Sequence, residues 1–116
     1  MKLSHLNLTV NDVDTTRAFL ETYFHMKCVS PSGKGFAVMY DDDQFVLTLM
    51  QGKDVQYPKT FHIGFPQESR EDVDYINQRL KEDGYQVGSP IESHGYTFYV
   101  RAPGGFTVEV IKRKGK

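Results

Sequence analysis

Two histidines and a glutamate, His5, His62 and Glu109, have the types and the spacing to hold a metal ion. Two neutral imidazoles and a carboxylate make a facial set that grips a divalent ion and leaves coordination positions open. Open positions are what a catalytic metal site needs and a structural one lacks. Tyr99 is a candidate general acid or hydrogen-bond donor beside them. Arg101 is suited to holding a substrate carboxylate or phosphate through two parallel bonds. His94, next to Gly95, is a candidate loop residue at the mouth of the same site. The sequence has no Gly-x-Ser-x-Gly, no phosphate-binding P-loop and no Gly-x-Gly-x-x-Gly. Covalent catalysis through an activated serine and nucleotide binding therefore have no support.

These residues need elements that bring positions 5, 62 and 109 to one surface, and the sequence supplies such elements twice. Leu3 to Val10 alternates apolar and polar residues with the period of a half-buried strand. Asn11-Asp12-Val13-Asp14 is a turn and helix-cap signal, and Thr15 to Phe24 then predicts a helix with Val13, Leu20, Tyr23 and Phe24 near one face. Strands are predicted at Lys27–Ser30, Phe36–Tyr40 and Phe45–Met50, separated by turns at Pro31-Ser32-Gly33 and Asp41-Asp42-Asp43. The order then recurs. Thr60 to Phe65 is strand-like, Ser69-Arg70-Glu71-Asp72 resembles a capping box, and Val73, Ile76 and Leu80 share a helical face closed by Gly84. Strands are predicted at Tyr85–Val87, Tyr96–Val100 and Phe106–Ile111, the last two joined through Pro103-Gly104-Gly105. Residues 1–52 and 59–116 thus read as two βαβββ modules of one α+β domain, with 53–58 as their linker.

Superimposing the modules puts His5 on His62 and Thr48 on Glu109. Strand alternation then assigns faces. Leu6, Leu8, Val10, Ile63, Phe65, Phe98, Val100, Val108 and Val110 turn toward the helices. His5, Asn7, His62, Gly64, Thr97, Tyr99, Arg101, Thr107, Glu109 and Ile111 turn the other way.

Composition narrows the partners. The 116 residues carry a net charge of −1, and the isoelectric point of about 6.4 argues against a nucleic-acid partner. The basic cluster Lys112-Arg113-Lys114-Lys116 reads as a frayed terminus. Eight Phe and seven Tyr suffice for a compact core. The single cysteine, Cys28, has no intrachain disulfide partner and reads as a buried thiol. No apolar run approaches the roughly 18–20 residues of a membrane span. No basic segment followed by an apolar stretch opens the chain, so a cytoplasmic protein is expected.

In these features the chain resembles the vicinal oxygen chelate superfamily, which includes glyoxalase I, extradiol dioxygenases, fosfomycin-resistance thiol transferases and bleomycin-binding proteins. The resemblance implies paired βαβββ modules forming a curled mixed sheet around a pocket. It implies His5, His62 and Glu109 as metal ligands on the first, fifth and eighth strands, and a single divalent ion (Fe, Mn, Ni or Zn). It also implies a small-molecule substrate and a homodimer, often with the site shared between chains. Phe98-Tyr99-Val100-Arg101-Ala102-Pro103-Gly104-Gly105, leading to Glu109, is similar to the C-terminal part of the extradiol signature, although His94 lies closer to Tyr99 than that pattern has it. Thr48 stands where glyoxalase I carries a fourth ligand, and Asn7 where fosfomycin enzymes carry a threonine. Asn7, Thr48, His94 and Arg101 are expected to contact substrate, with Tyr99 and Glu109 catalytic. The expected function is a small metal-dependent enzyme acting on an oxygen-chelating substrate by dioxygenase-, lyase/isomerase- or thiol-transferase-type chemistry. The alternative is a non-catalytic ligand- or antibiotic-binding protein.

Overall fold

Two helices and eight strands follow one another as β-α-β-β-β, twice, in a computed structural model that describes residues 1–30 and 35–115, with Ser30 described by its backbone alone. The first set is β1 (His5–Val10), α1 (Val13–Phe24), β2 (Lys27–Ser30), β3 (Phe36–Tyr40) and β4 (Val46–Gln51). The second is β5 (His62–Pro66), α2 (Arg70–Glu82), β6 (Ile91–Glu92), β7 (Gly95–Arg101) and β8 (Thr107–Arg113). The turn expected at Pro31-Ser32-Gly33 lies outside the described residues.

Each set forms its own four-stranded mixed sheet, in the orders β1-β4-β3-β2 and β5-β8-β7-β6. The parallel pair of each sheet joins its first and last strands, and the registers match the sequence superposition. Asn7 pairs with Thr48 in the first sheet and Gly64 with Glu109 in the second. His5 and His62 therefore stand at the same offset, two residues before the partner of Thr48 and of Glu109.

In the first unit, residues 1–57 and 102–106 cluster together. Asp12 caps α1 by accepting from Thr15 N at 3.0 Å, which satisfies one of the orphan amides of the first turn. His25 ends it in the left-handed region (φ 58°), a conformation that histidine adopts more readily than bulky residues do. The helix begins two residues earlier than the sequence pattern suggests because Val13 is itself buried. Val13, Phe19, Leu20 and Tyr23 pack with Leu8, Val10, Ala37, Met39, Leu47 and Leu49 as the core of this unit. Asp41 Oδ1 accepts from Asp43 N and Phe45 N at 2.9 and 2.8 Å, so the acidic triplet is a self-bonded turn. Cys28, expected as a buried thiol, is only half-buried because β2 is the edge strand.

The stretch 53–57 runs along β1. Val55 N donates to Asn11 Oδ1 at 2.9 Å, and the Tyr57 hydroxyl donates to Thr9 O at 2.8 Å. The turn at Pro103-Gly104-Gly105 packs here too. A Cβ on Gly104 would stand 2.7 Å from both Val10 Cγ1 and Thr16 Oγ1, so only glycine allows this approach.

In the second unit, residues 58–101 and 107–115 of the described chain, Ser69 caps α2 through Asp72 N at 3.0 Å. Gly84 follows the helix at φ 93°, as a C-terminal glycine should. Val73, Ile76 and Leu80 bury against Phe98, Val100, Val108 and Val110. The strand expected at Tyr85–Val87 is not formed; the edge strand is Ile91–Glu92 instead. Tyr85 N bonds back to Leu80 O at 2.9 Å, and Asn77, buried under this segment, donates to Gly88 O at 2.8 Å. The Tyr85 amide and the Gly88 carbonyl are thus held by α2.

Candidate metal centre

Glu109 lies on β8, the strand between β5 and β7, and its position on an inner strand explains its burial. Only 6% of it is exposed. A buried carboxylate is costly unless hydrogen bonds replace its water, and here they do. Thr97 Oγ1 donates to Oε2 at 2.7 Å, and His94 Nε2 lies 2.6 Å from the same oxygen. The Tyr99 hydroxyl also bonds the carboxylate. Burial pushes the Glu109 pKa up, but the bonds from Thr97, His94 and Tyr99, with the charge of His94, outweigh it and hold the group below the usual carboxylate range. Tyr99 moves the opposite way: its own desolvation and the Glu109 carboxylate keep its hydroxyl protonated above the ordinary tyrosine value.

The other oxygen of Glu109 faces His62. Nε2 of His62 stands 3.4 Å from Oε1, while its Nδ1 lies 3.0 Å from Thr60 O. A carbonyl can only accept, so Nδ1 donates to it, and in the neutral form of the ring Nε2 is the nitrogen left free to ligate. A backbone carbonyl on the far nitrogen is the usual support for a metal-binding imidazole. The His62 ring meets Tyr99 edge-on, with centroids 5.5 Å apart and planes at 88°.

The two imidazoles therefore face one carboxylate in opposite roles. His94 must donate from Nε2, since Oε2 only accepts, whereas His62 in its neutral form offers a lone pair. Two lone-pair donors facing each other at 3.4 Å fit cis ligands of one first-row ion, which at bond lengths of about 2.0–2.2 Å stand about 3 Å apart. The donor chemistry of the pair, one nitrogen and one anionic oxygen, suits such an ion. Among the described residues, no group of three or more His, Cys, Asp and Glu converges as a ligand set.

The remaining expected residues fall as follows. His5 is exposed at the start of β1, paired in register with Val46. Asn7 and Thr48 bond each other, Thr48 Oγ1 donating to Asn7 Oδ1 at 2.6 Å. Arg101 is exposed at the end of β7, opposite Thr107. Tyr99 is directly opposite Glu109. His94, expected as a loop residue at the site mouth, is bonded to Glu109 itself.

Ile111 shares the Glu109 face by alternation but is buried, because Gly95 passes so close that a Cβ there would stand 2.8 Å from its Cδ1. Gly64, beside Glu109 in the ladder, leaves open space: a Cβ would meet only the Glu109 carbonyl, at 3.9 Å.

Sequence reasoning placed Thr97 on this face but gave it no role. Its signal was the period-two offset from Tyr99. The Thr60 carbonyl has no side-chain signal at all.

Paired βαβββ units define a class of fold. The chain belongs to the Glyoxalase/Bleomycin resistance protein/Dioxygenase superfamily, whose model matches residues 2–110. It is 30% identical over 119 aligned residues to an uncharacterised protein of Pseudomonas aeruginosa, covering 92% of this chain and 85% of that one. A solved structure of a possible glyoxalase from Bacillus cereus is 64% identical, with a TM-score of 0.92 and coverage of 96% and 98%. A variant of the fosfomycin resistance protein FosX from Listeria monocytogenes, complexed with Mn(II) and 1S,2S-dihydroxypropylphosphonic acid, is 25% identical, with a TM-score of 0.83 and coverage of 98% and 91%. The fold that the sequence resemblance implied is the one found. Among the described residues, no helix is long and apolar enough to cross a membrane.

Proposed function

We propose that this protein is a divalent-metal-dependent enzyme acting on a small substrate that chelates through two oxygens. His5, His62 and Glu109 hold the ion in this reading. One observation carries it: Nε2 of His62, whose Nδ1 is engaged by Thr60 O, and Oε1 of buried Glu109 face each other 3.4 Å apart. A bound divalent ion would supply Lewis-acid polarisation of a chelating substrate oxygen.

The chain's own groups then divide the remaining work. Tyr99, kept protonated, donates a hydrogen bond or a proton to an oxygen that becomes basic as the reaction proceeds. Arg101, exposed beside Tyr99 on the same face, receives an anionic group of the substrate. Asn7, Thr48 and His94 are further substrate-contacting positions. The likeness to a possible glyoxalase, and to a protein seen with Mn(II) and a dihydroxy phosphonate, supports proton-transfer or addition chemistry on an oxygen-rich small molecule over oxygen cleavage.

The test is metal content. Protein purified without a His-tag should hold about one first-row ion per chain, lost in both His62→Ala and Glu109→Ala. Wild-type protein that is empty, and that cannot be loaded with Fe, Mn, Ni or Zn, would sink the enzyme reading in favour of a ligand-binding pocket. If a homodimer shares the site between its chains, His5 would come from one protomer and His62 with Glu109 from its partner. Mixing His5→Ala chains with Glu109→Ala chains should then restore metal binding at one site per mixed dimer.

A further inference from the structure

We infer that His94 and Thr97 are positioning residues that reserve one oxygen of Glu109, so that this carboxylate can ligate an ion only through Oε1. The inference rests on the metal-site reading of His62 and Glu109. An ionised carboxylate oxygen has about two lone-pair sites. Both sites on Oε2 are filled, by Thr97 Oγ1 at 2.7 Å and His94 Nε2 at 2.6 Å. With Oε2 filled, the Tyr99 hydroxyl, the third donor to the carboxylate, falls to Oε1, whose other site faces Nε2 of His62 at 3.4 Å. The two oxygens of one carboxylate are therefore unequal, and their inequality is built from two different elements.

Both clamps are anchored. Thr97 is 1% exposed on β7, diagonal to Glu109 across the ladder, and its single hydroxyl proton lies between Oε2 at 2.7 Å and Val110 O at 3.0 Å, nearer the carboxylate. His94 sits in the turn between β6 and β7, where Ser93 N donates to Gly95 O at 2.8 Å. That hairpin is tied to α2 on both strands. Arg70 pairs with Glu92 and stacks over the Tyr96 ring at 3.9 Å, and the Tyr96 hydroxyl donates to Asp74 at 2.6 Å. Because Nε2 of His94 carries the bonded proton, this imidazole acts on the carboxylate as a donor and does not itself serve as a ligand through that atom.

The consequence is a count of open positions. A carboxylate that binds through one oxygen leaves the ion one more vacancy than a bidentate one. A substrate that chelates through two oxygens needs two vacancies, so holding Oε2 back serves it.

The experiment loads Co(II) into the whole protein and records its visible spectrum and stoichiometry. Wild type, His94→Ala, Thr97→Val, His94→Gln, Thr97→Ser, His62→Ala and Glu109→Ala are compared. His94→Ala and Thr97→Val should still bind one ion per chain, with an altered ligand-field spectrum and about 10–100-fold changed affinity, the range of outer-shell effects. His94→Gln and Thr97→Ser, which keep a donor, should restore the wild-type spectrum. Unchanged spectra in both His94→Ala and Thr97→Val overturn the inference while leaving the metal site intact. Loss of the ion in His94→Ala without rescue by His94→Gln also overturns it, by making His94 a ligand. Wild type that takes up no ion, or Glu109→Ala that still binds, removes the metal-site reading itself, and the inference with it.

Discussion

His94 Nε2 stands 2.6 Å from Glu109 Oε2, closer than His62 comes to the other oxygen of the same carboxylate. A turn histidine thus shares the central carboxylate of the second sheet with a strand histidine, and the two do opposite things. One donates a hydrogen bond to the carboxylate, and the other, in its neutral form, directs a lone pair toward it. Nδ1 of His62 donates to the Thr60 carbonyl, which can only accept, whereas Nδ1 of His94 lies 3.4 Å from the Ser93 hydroxyl.

The clamp on Glu109 makes stability depend on pH in a defined direction. Because the folded-state pKa is lowered, Glu109 stabilises the metal-free fold above its unfolded value, and the contribution is lost as pH falls through the lower folded value. Urea unfolding of chelator-treated protein should show this stability advantage over Glu109→Gln at pH 7, shrinking progressively below about pH 4.5. An advantage that is constant down to pH 3 would contradict the lowered value.

Gly64 leaves room beside Glu109, and filling it should separate substrate access from metal binding. A Cβ there meets nothing nearer than 3.9 Å, so Gly64→Leu is expected to fold normally and retain its metal. The larger side chain would occupy the face that His62 and Glu109 share. Binding of oxalate, a two-oxygen chelator, to the Mn(II)-loaded protein should weaken at least about tenfold, a loss of about 1.4 kcal/mol. Calorimetric titration of wild type against Gly64→Leu decides it.

Gly104 should tolerate no side chain. A Cβ would press on Val10 and Thr16, both fully buried, at 2.7 Å. Overpacking of this kind costs about 1–3 kcal/mol. Gly104→Ala should therefore lower the Tm by several degrees, at about 4–8 °C per kcal/mol for a chain near this size. Thermal unfolding followed by circular dichroism measures it, with Gly88→Ala as the control, since a Cβ on Gly88 would meet nothing within 4 Å.

Asn77 replaces a missing strand. Its side chain is 4% exposed and donates to Gly88 O at 2.8 Å. Asn77→Ala should lose about 1 kcal/mol, the net worth of such a bond. It should also speed amide exchange over 85–90 ahead of the rest of the unit. Exchange that quickens uniformly across the second unit would mean that Asn77 contributes only to packing.

The sequence by itself determined the repeat and the faces. Alternation along Leu3 to Val10 and Phe106 to Ile111 required that apolar residues turn to one side, because a strand has period two. That was enough to set His62, Tyr99, Thr97 and Glu109 on a common face and to match His5 with His62, a match the ladder registers repeat. The start and end of α2 were legible for the same local reason: Ser69 and Gly84 act on neighbours a few residues away. Tyr85–Val87 misled because alternation says nothing of whether a partner strand is present, and here Asn77 and Leu80 had already claimed the nearby backbone. Which oxygen of Glu109 is taken, which nitrogen of each histidine carries a proton, and that a turn histidine reaches the centre at all were decided only by tertiary structure. Those outcomes depend on distances of 2.6 to 3.4 Å between residues up to 47 positions apart (His62 to Glu109), and hydrogen-bond direction at that scale is not encoded in any local period.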